Sequence, residues 1–233
     1  MKPYFKLNFP FPTSKLLAPT FILPRTEYDD VNPYIPVEKD VHGNALNCAT
    51  HNKWIHRFNG PTSGQEYVPI HDVLSKELVD FMTSLNIDIG CIFIFYACPG
   101  SEPGGIHADW GNVTQGKDAN FAINWTIGGV NEDGKEDHHM IWYKPSSDQV
   151  DEKGWPIDAT PAALAYPIPT WRKNKVIEIA RHSIVEPTLV RTDIPHNAEN
   201  YSTTPRWCFS IRTNLVLPDW PSIVNVFKDY ISE

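Results

Sequence analysis

Hydrophobic and polar positions alternate most clearly over 120–127, where Phe121, Ile123, Trp125 and Ile127 share one face and Asn120, Ala122, Asn124 and Thr126 the other. A two-residue period is that of a β-strand, so this stretch predicts a strand with one apolar face and one small, polar face. The polar face either points into a closed interior or lies outward in solvent. Further strands are expected at 87–97, where Cys91–Tyr96 is a β-branched and aromatic run suited to burial on both faces, and at Met140–Lys144, 175–182 and 188–194. The segment 206–212 alternates too, setting Arg206, Cys208, Ser210 and Arg212 on one side.

Helical spacing is confined to two places. Over 70–85 the apolar positions Val73, Leu74, Leu78, Phe81, Met82 and Leu85 recur with the helical period, and Asp72 is placed to cap the N-terminus. A short amphipathic helix is expected over 221–232. Pro99–Gly105 and Gly128–Gly134 read as turns, and the pair His138–His139 as a solvated turn rather than a second metal site. Residues 1–70 predict an irregular arm with short strands, and 145–174, rich in proline with two tryptophans, an insertion that is either part of a lid or an inert excursion.

Composition narrows the class. A chain of 233 residues with 41% hydrophobic and 21% charged residues suits one globular domain, and 21 prolines favour turns and edges over long helices. The formal net charge of −8 argues against a broad nucleic-acid or anionic-membrane surface. With no apolar run long enough to span a bilayer and no signal-peptide pattern at Met1–Lys6, a soluble, cytoplasmic protein is expected. Cys48, Cys91, Cys98 and Cys208 lack Cys-x-x-Cys spacing and read as free thiols, buried like small hydrophobes.

The candidate chemistry lies just after the turn at 99–105. His107 and Asp109 are two residues apart, so on a strand they present an imidazole nitrogen and a carboxylate oxygen to the same side. A facial triad of two histidines and one carboxylate needs a further histidine brought in by the fold. His196, in Pro195-His196-Asn197-Ala198-Glu199-Asn200, is the best placed.

Taken together, His107-x-Asp109, the distal His196 in its Pro-His-x-x-x-Asn setting, and Arg206 ten residues on at the head of an alternating strand resemble the 2-oxoglutarate and Fe(II)-dependent oxygenases. The resemblance covers roughly 90–215. It implies that His107, Asp109 and His196 bind Fe(II) and that Arg206 pairs with the far carboxylate of the cosubstrate 2-oxoglutarate, with Arg212 in reserve on the same face. It also makes Tyr143, on the returning strand, a candidate for holding the cosubstrate, and Asn124 another if the polar face of its strand points inward. One departure is Cys208, which stands where the family commonly has a serine and is a poorer hydrogen-bonding partner. The fold that accommodates this order is mainly β with flanking helices: a double-stranded β-helix, a cupin-like jelly-roll, over 87–215 with the insertion at 145–174.

The reaction the resemblance implies consumes O2 and 2-oxoglutarate, releases succinate and CO2, and hydroxylates a substrate C–H bond. An amino-acid, peptidyl or small-metabolite substrate is expected, with no nucleic-acid or membrane partner. The alternative is a cupin-like jelly-roll that binds a metal or ligand without oxygenase activity; the 89-position separation of His107 and His196 is long for a compact cupin.

Overall fold

The computed structural model describes residues 1–23, 52–58, 70–97, 99–100, 105–109, 120–147, 170–213 and 215–232, with backbone only at 52–58 and 170. Cys48, Cys98 and most of the expected insertion, at 148–169, lie outside the described residues. Of the remaining cysteines, Cys208 is a buried free thiol and Cys91 is half-buried.

The described chain is mainly β. Its strands are β1 (Tyr4–Leu7), β2 (Asn52–Phe58), β3 (Ile89–Ala97), β4 (Ile106–His107), β5 (Phe121–Gly128), β6 (His138–Pro145), β7 (Thr170–Trp171), β8 (Val176–His182), β9 (Thr188–Arg191), β10 (His196–Asn200), β11 (Arg206–Thr213) and β12 (Ile231–Ser232). They form a seven-stranded sheet in the order β12-β1-β9-β5-β11-β3-β2 and a five-stranded sheet in the order β7-β4-β10-β6-β8. Every pairing is antiparallel. Two helices accompany them, α1 (Lys76–Ser84) and α2 (Trp220–Val226).

Alternation along each strand sorts the side chains into layers. Phe121, Ile123 and Trp125 of β5, Ile92, Ile94 and Tyr96 of β3, and Trp207, Phe209 and Ile211 of β11 join Leu78, Phe81 and Met82 of α1 and Trp220 and Ile223 of α2 in the main apolar core. That core is the helix-covered face of the large sheet. Its other face looks toward the small sheet, where Ala122 and Val190 pack with Met140, Trp142 and Ile184. Thr126 of β5 meets His138 of β6 across this gap at 3.0 Å, and the Trp142 indole donates to the Arg191 carbonyl at 2.8 Å. The polar face of β5 therefore points inward: Asn124 and Thr126 are buried.

Several expected boundaries shift. The helix begins only at Lys76, capped by Ser75, whose hydroxyl accepts from the Leu78 N–H at 3.1 Å. Asp72 instead ends a short 3-10 turn at Ile70–Asp72. The Leu17–Leu74 bridge and the Ser75 N–H to Leu16 carbonyl bond hold the chain extended there, which breaks the helical run. The C-terminal helix stops at Val226, and Ile231–Ser232 leave it to pair with β1. His138 is no solvated turn residue: it opens β6 fully buried, between the Thr126 hydroxyl and the Gly129 carbonyl. The strand expected to run from 188 to 194 ends at Arg191, and a bend through Thr192–Pro195 carries the chain to the other sheet. Pro195 cannot donate to a ladder, which suits it to that crossing. The sheets also recruit β1, β2 and β12 from outside 87–215.

Candidate metal centre

Two strand ends converge in the gap between the sheets. His107 closes β4, His196 opens β10, and the two are direct antiparallel partners. Directly opposed residues share a face, and the next partner in that row is the inward-facing Trp142, so both imidazoles point into the gap. Their ring centroids are 4.7 Å apart. Asp109 follows β4, its backbone held by an N–H bond to the Thr192 carbonyl at 2.7 Å and by the Asn120 side chain donating to its carbonyl at 2.7 Å. One ligand atom from each of His107, Asp109 and His196 lies within 4.8 Å of the others.

The hydrogen bonds decide which atoms are available. His107 Nδ1 lies 2.8 Å from the Gly105 carbonyl and His196 Nδ1 2.9 Å from the Ile194 carbonyl. A carbonyl can only accept, so each Nδ1 carries the proton and each Nε2 keeps its lone pair, the arrangement seen when a backbone oxygen orients a metal-binding histidine. His107 Nε2 is 3.5 Å from Asp109 Oδ1. The other carboxylate oxygen, Oδ2, accepts from Arg212 Nη2 at 2.7 Å, and Arg212 Nη1 reaches the Thr192 hydroxyl at 3.3 Å.

Electrostatics favour the ligating forms. Burial opposes a charged carboxylate at Asp109, but the Arg212 guanidinium, His196 and His107 together outweigh it and hold the group well below the usual carboxylate range. His196 is pushed down to about 4, first by burial and then by His107 beside it, so it is neutral at physiological pH. Two imidazoles and one carboxylate, gathered on one side of a shared point, are a donor set that could hold a divalent metal ion.

Farther along the inward face of β11, Arg206 and Ser210 are buried, and opposite Ser210 stands Asn124 of β5. Arg206 Nε, Ser210 Oγ and Asn124 Oδ1 are buried with no hydrogen-bond partner. Such atoms are costly unless something polar meets them. The Cys208 thiol lies between Arg206 and Ser210 on this face, pushed up by burial.

The fold thus gathers His107, Asp109 and His196, and lines the adjoining interior with Arg206 and Asn124. Arg212 is bound to Asp109 and not held apart for a ligand carboxylate. Tyr143 is a correction: it lies on the far face of the small sheet, packed with Ile106, Ile141 and Trp171, its hydroxyl donating to Asn197 Oδ1 at 3.0 Å. It follows the inward-facing Trp142 on β6, so alternation turns it away; burial, then Glu178 and Glu199, push its phenol up to about 12. Ser210 was not singled out by sequence, although its place two residues from both Cys208 and Arg212 on the face of Arg206 was the signal for it. Thr192 and Asn120, which anchor Asp109, carried no such signal.

No protein-family model and no curated protein matches this chain. Among solved structures it is similar to the X-ray structure of E. coli ycfD, at 12% identity and a TM-score of 0.30, over 66% of this chain and 33% of that one. The chain thus spans about a third of the length of that protein. The functional reading rests on the site itself.

Proposed function

We propose that the protein is an Fe(II)- and 2-oxoglutarate-dependent oxygenase that hydroxylates a C–H bond of an amino-acid, peptidyl or small-metabolite substrate. The observation that carries the reading is the convergence of His107, His196 and Asp109, with both Nδ1 atoms tied to backbone carbonyls and both Nε2 lone pairs left for a metal. The accompanying fold would be a double-stranded β-helix. In support, the chain alternates between sheets through β3, β4, β5 and β6 and again through β8, β9, β10 and β11, which lie in the orders β9-β5-β11-β3 and β4-β10-β6-β8. Two facing four-stranded sets of this kind are what a jelly-roll needs.

Fe(II), with 2-oxoglutarate and O2, supplies an oxidant able to attack an unactivated C–H bond, releasing succinate and CO2. The chain's residues have narrower tasks. His107 and His196 would hold the metal through their Nε2 atoms and Asp109 through a carboxylate oxygen. Arg206 offers a fork of N–H donors to the distal carboxylate of the cosubstrate. The Ser210 hydroxyl and the Asn124 Oδ1, buried without partners, provide further polar contacts along its length. The apolar layer of Ala122, Met140, Trp142 and Val190 keeps water from this end of the gap.

An anaerobic Fe(II) titration in the presence of 2-oxoglutarate tests the reading through the weak visible charge-transfer band of the chelate. The band is expected in the wild type, absent in His107→Ala, and displaced to much higher 2-oxoglutarate in Arg206→Ala. A folded, iron-replete wild type without the band would refute the oxygenase and leave a jelly-roll that binds a metal or another ligand.

A further inference from the structure

Residues 192–195 carry the chain from β9 of the large sheet to β10 of the small one, and their backbone orients much of the metal centre. The Thr192 carbonyl accepts the Asp109 N–H at 2.7 Å, while the Thr192 hydroxyl accepts from Arg212 Nη1 at 3.3 Å. Two residues on, the Ile194 carbonyl holds His196 Nδ1 at 2.9 Å. One short bend therefore aims two of the three ligands, and it also holds the arginine that pairs with Asp109 Oδ2. His107 is oriented separately, by the Gly105 carbonyl.

A crossing that leaves both ladders needs other contacts to fix it. The Thr192 N–H donates to the Asn120 carbonyl at 2.9 Å, the Pro195 carbonyl accepts the Tyr143 N–H at 2.8 Å, and Ile194 packs against the apolar layer of the gap. Between Thr192 and Ile194 stands Asp193, whose two oxygens are taken by one guanidinium: Arg191 Nε donates to Oδ1 at 2.7 Å and Nη2 to Oδ2 at 2.9 Å. Such a fork fixes orientation as well as distance. It closes over Thr192, so the peptide groups on either side of that residue turn only if it breaks. Arg191 is itself anchored at the end of β9, its N–H donating to the Pro3 carbonyl at 2.8 Å and its carbonyl accepting from the Trp142 indole at 2.8 Å.

We propose that Arg191 and Asp193 are positioning residues of the metal centre: their forked pair sets the bend, and the bend aims the Asp109 carboxylate and the His196 imidazole at a common point. The inference rests on the metal-binding part of the oxygenase reading. With side chains 31% and 21% exposed, the pair adds little to global stability, so its effect is local. Partners that orient a ligand directly commonly change metal affinity by roughly 10–100-fold, and a pair acting through the backbone should change it by less. The sign of the effect separates positioning from charge. Acting only through its charges, the pair would make Arg191 unfavourable and Asp193 favourable to a bound cation; acting by position, both favour it.

Co(II) binding to the full-length protein, followed by visible absorption, is the test, with Arg191→Met, Asp193→Asn and the double variant beside the wild type. Each single variant should bind Co(II) about three- to tenfold more weakly, with the absorption altered in shape. The double variant should be no worse than either alone, because all three lose the same fork. Arg191→Lys keeps the charge without the fork and should recover only part of the loss. Urea midpoints should stay close to that of the wild type. Opposite effects of the two single variants, additive losses in the double variant, or unchanged affinity and absorption would overturn the proposal.

The ring proton on His196 Nδ1 separates this inference from the reading beneath it. In the isotope-labelled, metal-free protein, that proton should exchange with water several-fold faster in Arg191→Met and Asp193→Asn than in the wild type, and the His107 ring proton should be unaffected. Equal exchange of the His196 proton in all three proteins would overturn the proposal. A wild type that binds no Co(II) would instead strike at the metal-binding reading and leave the ring protons to judge the fork.

Discussion

The two oxygens of Asp109 face different partners. Oδ1 looks toward His107, while Oδ2 is taken by Arg212, so the carboxylate has one oxygen for a metal and one for its orientation. The guanidinium repels a cation, but it also fixes the carboxylate and keeps it ionised against burial; orientation is the larger effect where an outer partner holds a ligand. Arg212→Met is therefore expected to weaken Co(II) binding about tenfold, with the visible absorption of bound Co(II) altered in shape, and Arg212→Lys to recover part of the loss. A second residue-scale effect is acid sensitivity. His182, stacked on Tyr4, is pushed down to about 4 by burial and then by Lys6 and Lys2. Its folded value lies below the unfolded one near 6.5, so the unfolded chain binds more protons between the two. The contribution is whole above about pH 6.5 and is lost as the pH falls through about 4. His182→Phe keeps a ring on Tyr4 and should lose less stability on acidification than the wild type, by roughly 1 kcal/mol given its partial exposure. Urea midpoints at neutral and acid pH check this.

At the scale of elements, caps and turns hold the layers in register. The Ser75 hydroxyl satisfies the Leu78 N–H at the head of α1, and Ser75→Ala should lower stability by about 1 kcal/mol, read from the denaturation midpoint. The turn after β5 is stricter. Gly128 has φ +77°, and a Cβ there would come within 2.1 Å of the Pro205 carbonyl oxygen. Gly128→Ala should destabilise by about 2 kcal/mol or more, since both the backbone conformation and the neighbouring chain must yield. The alternations over 120–127 and 206–212 were legible because each strand has one face against the helices and one in the gap, so residue type changes at every step. α1 was legible as a helix but not in its start. Leu74 bears a core side chain in either conformation, and the contact with Leu17 that straightens it joins residues 57 positions apart.

For the whole molecule, the site is a meeting of two sheets. His107 and His196 sit on the small sheet, Arg206, Ser210 and Asn124 on the large one, and Arg212 reaches across to Asp109. A metal bound between them would bind the folded state alone, because no unfolded chain holds ligands 89 residues apart together. Mn(II) at a hundred times its dissociation constant should accordingly raise stability by about 2.7 kcal/mol. Thermal denaturation with and without a chelator measures the effect, and His196→Ala should abolish it.

The amino-acid sequence by itself determined that the chain is mainly β, that one face of the strand at 206–212 carries both arginines, and that His107 and Asp109 share a side. These follow from periods of two, which are local. Tertiary structure alone decided the rest. It turned the polar face of β5 inward and Tyr143 outward, made His138 a buried residue, and tied Arg212 to Asp109. Each of these depends on which sheet covers which face, and a period of two says that a strand has two faces without saying what lies against them.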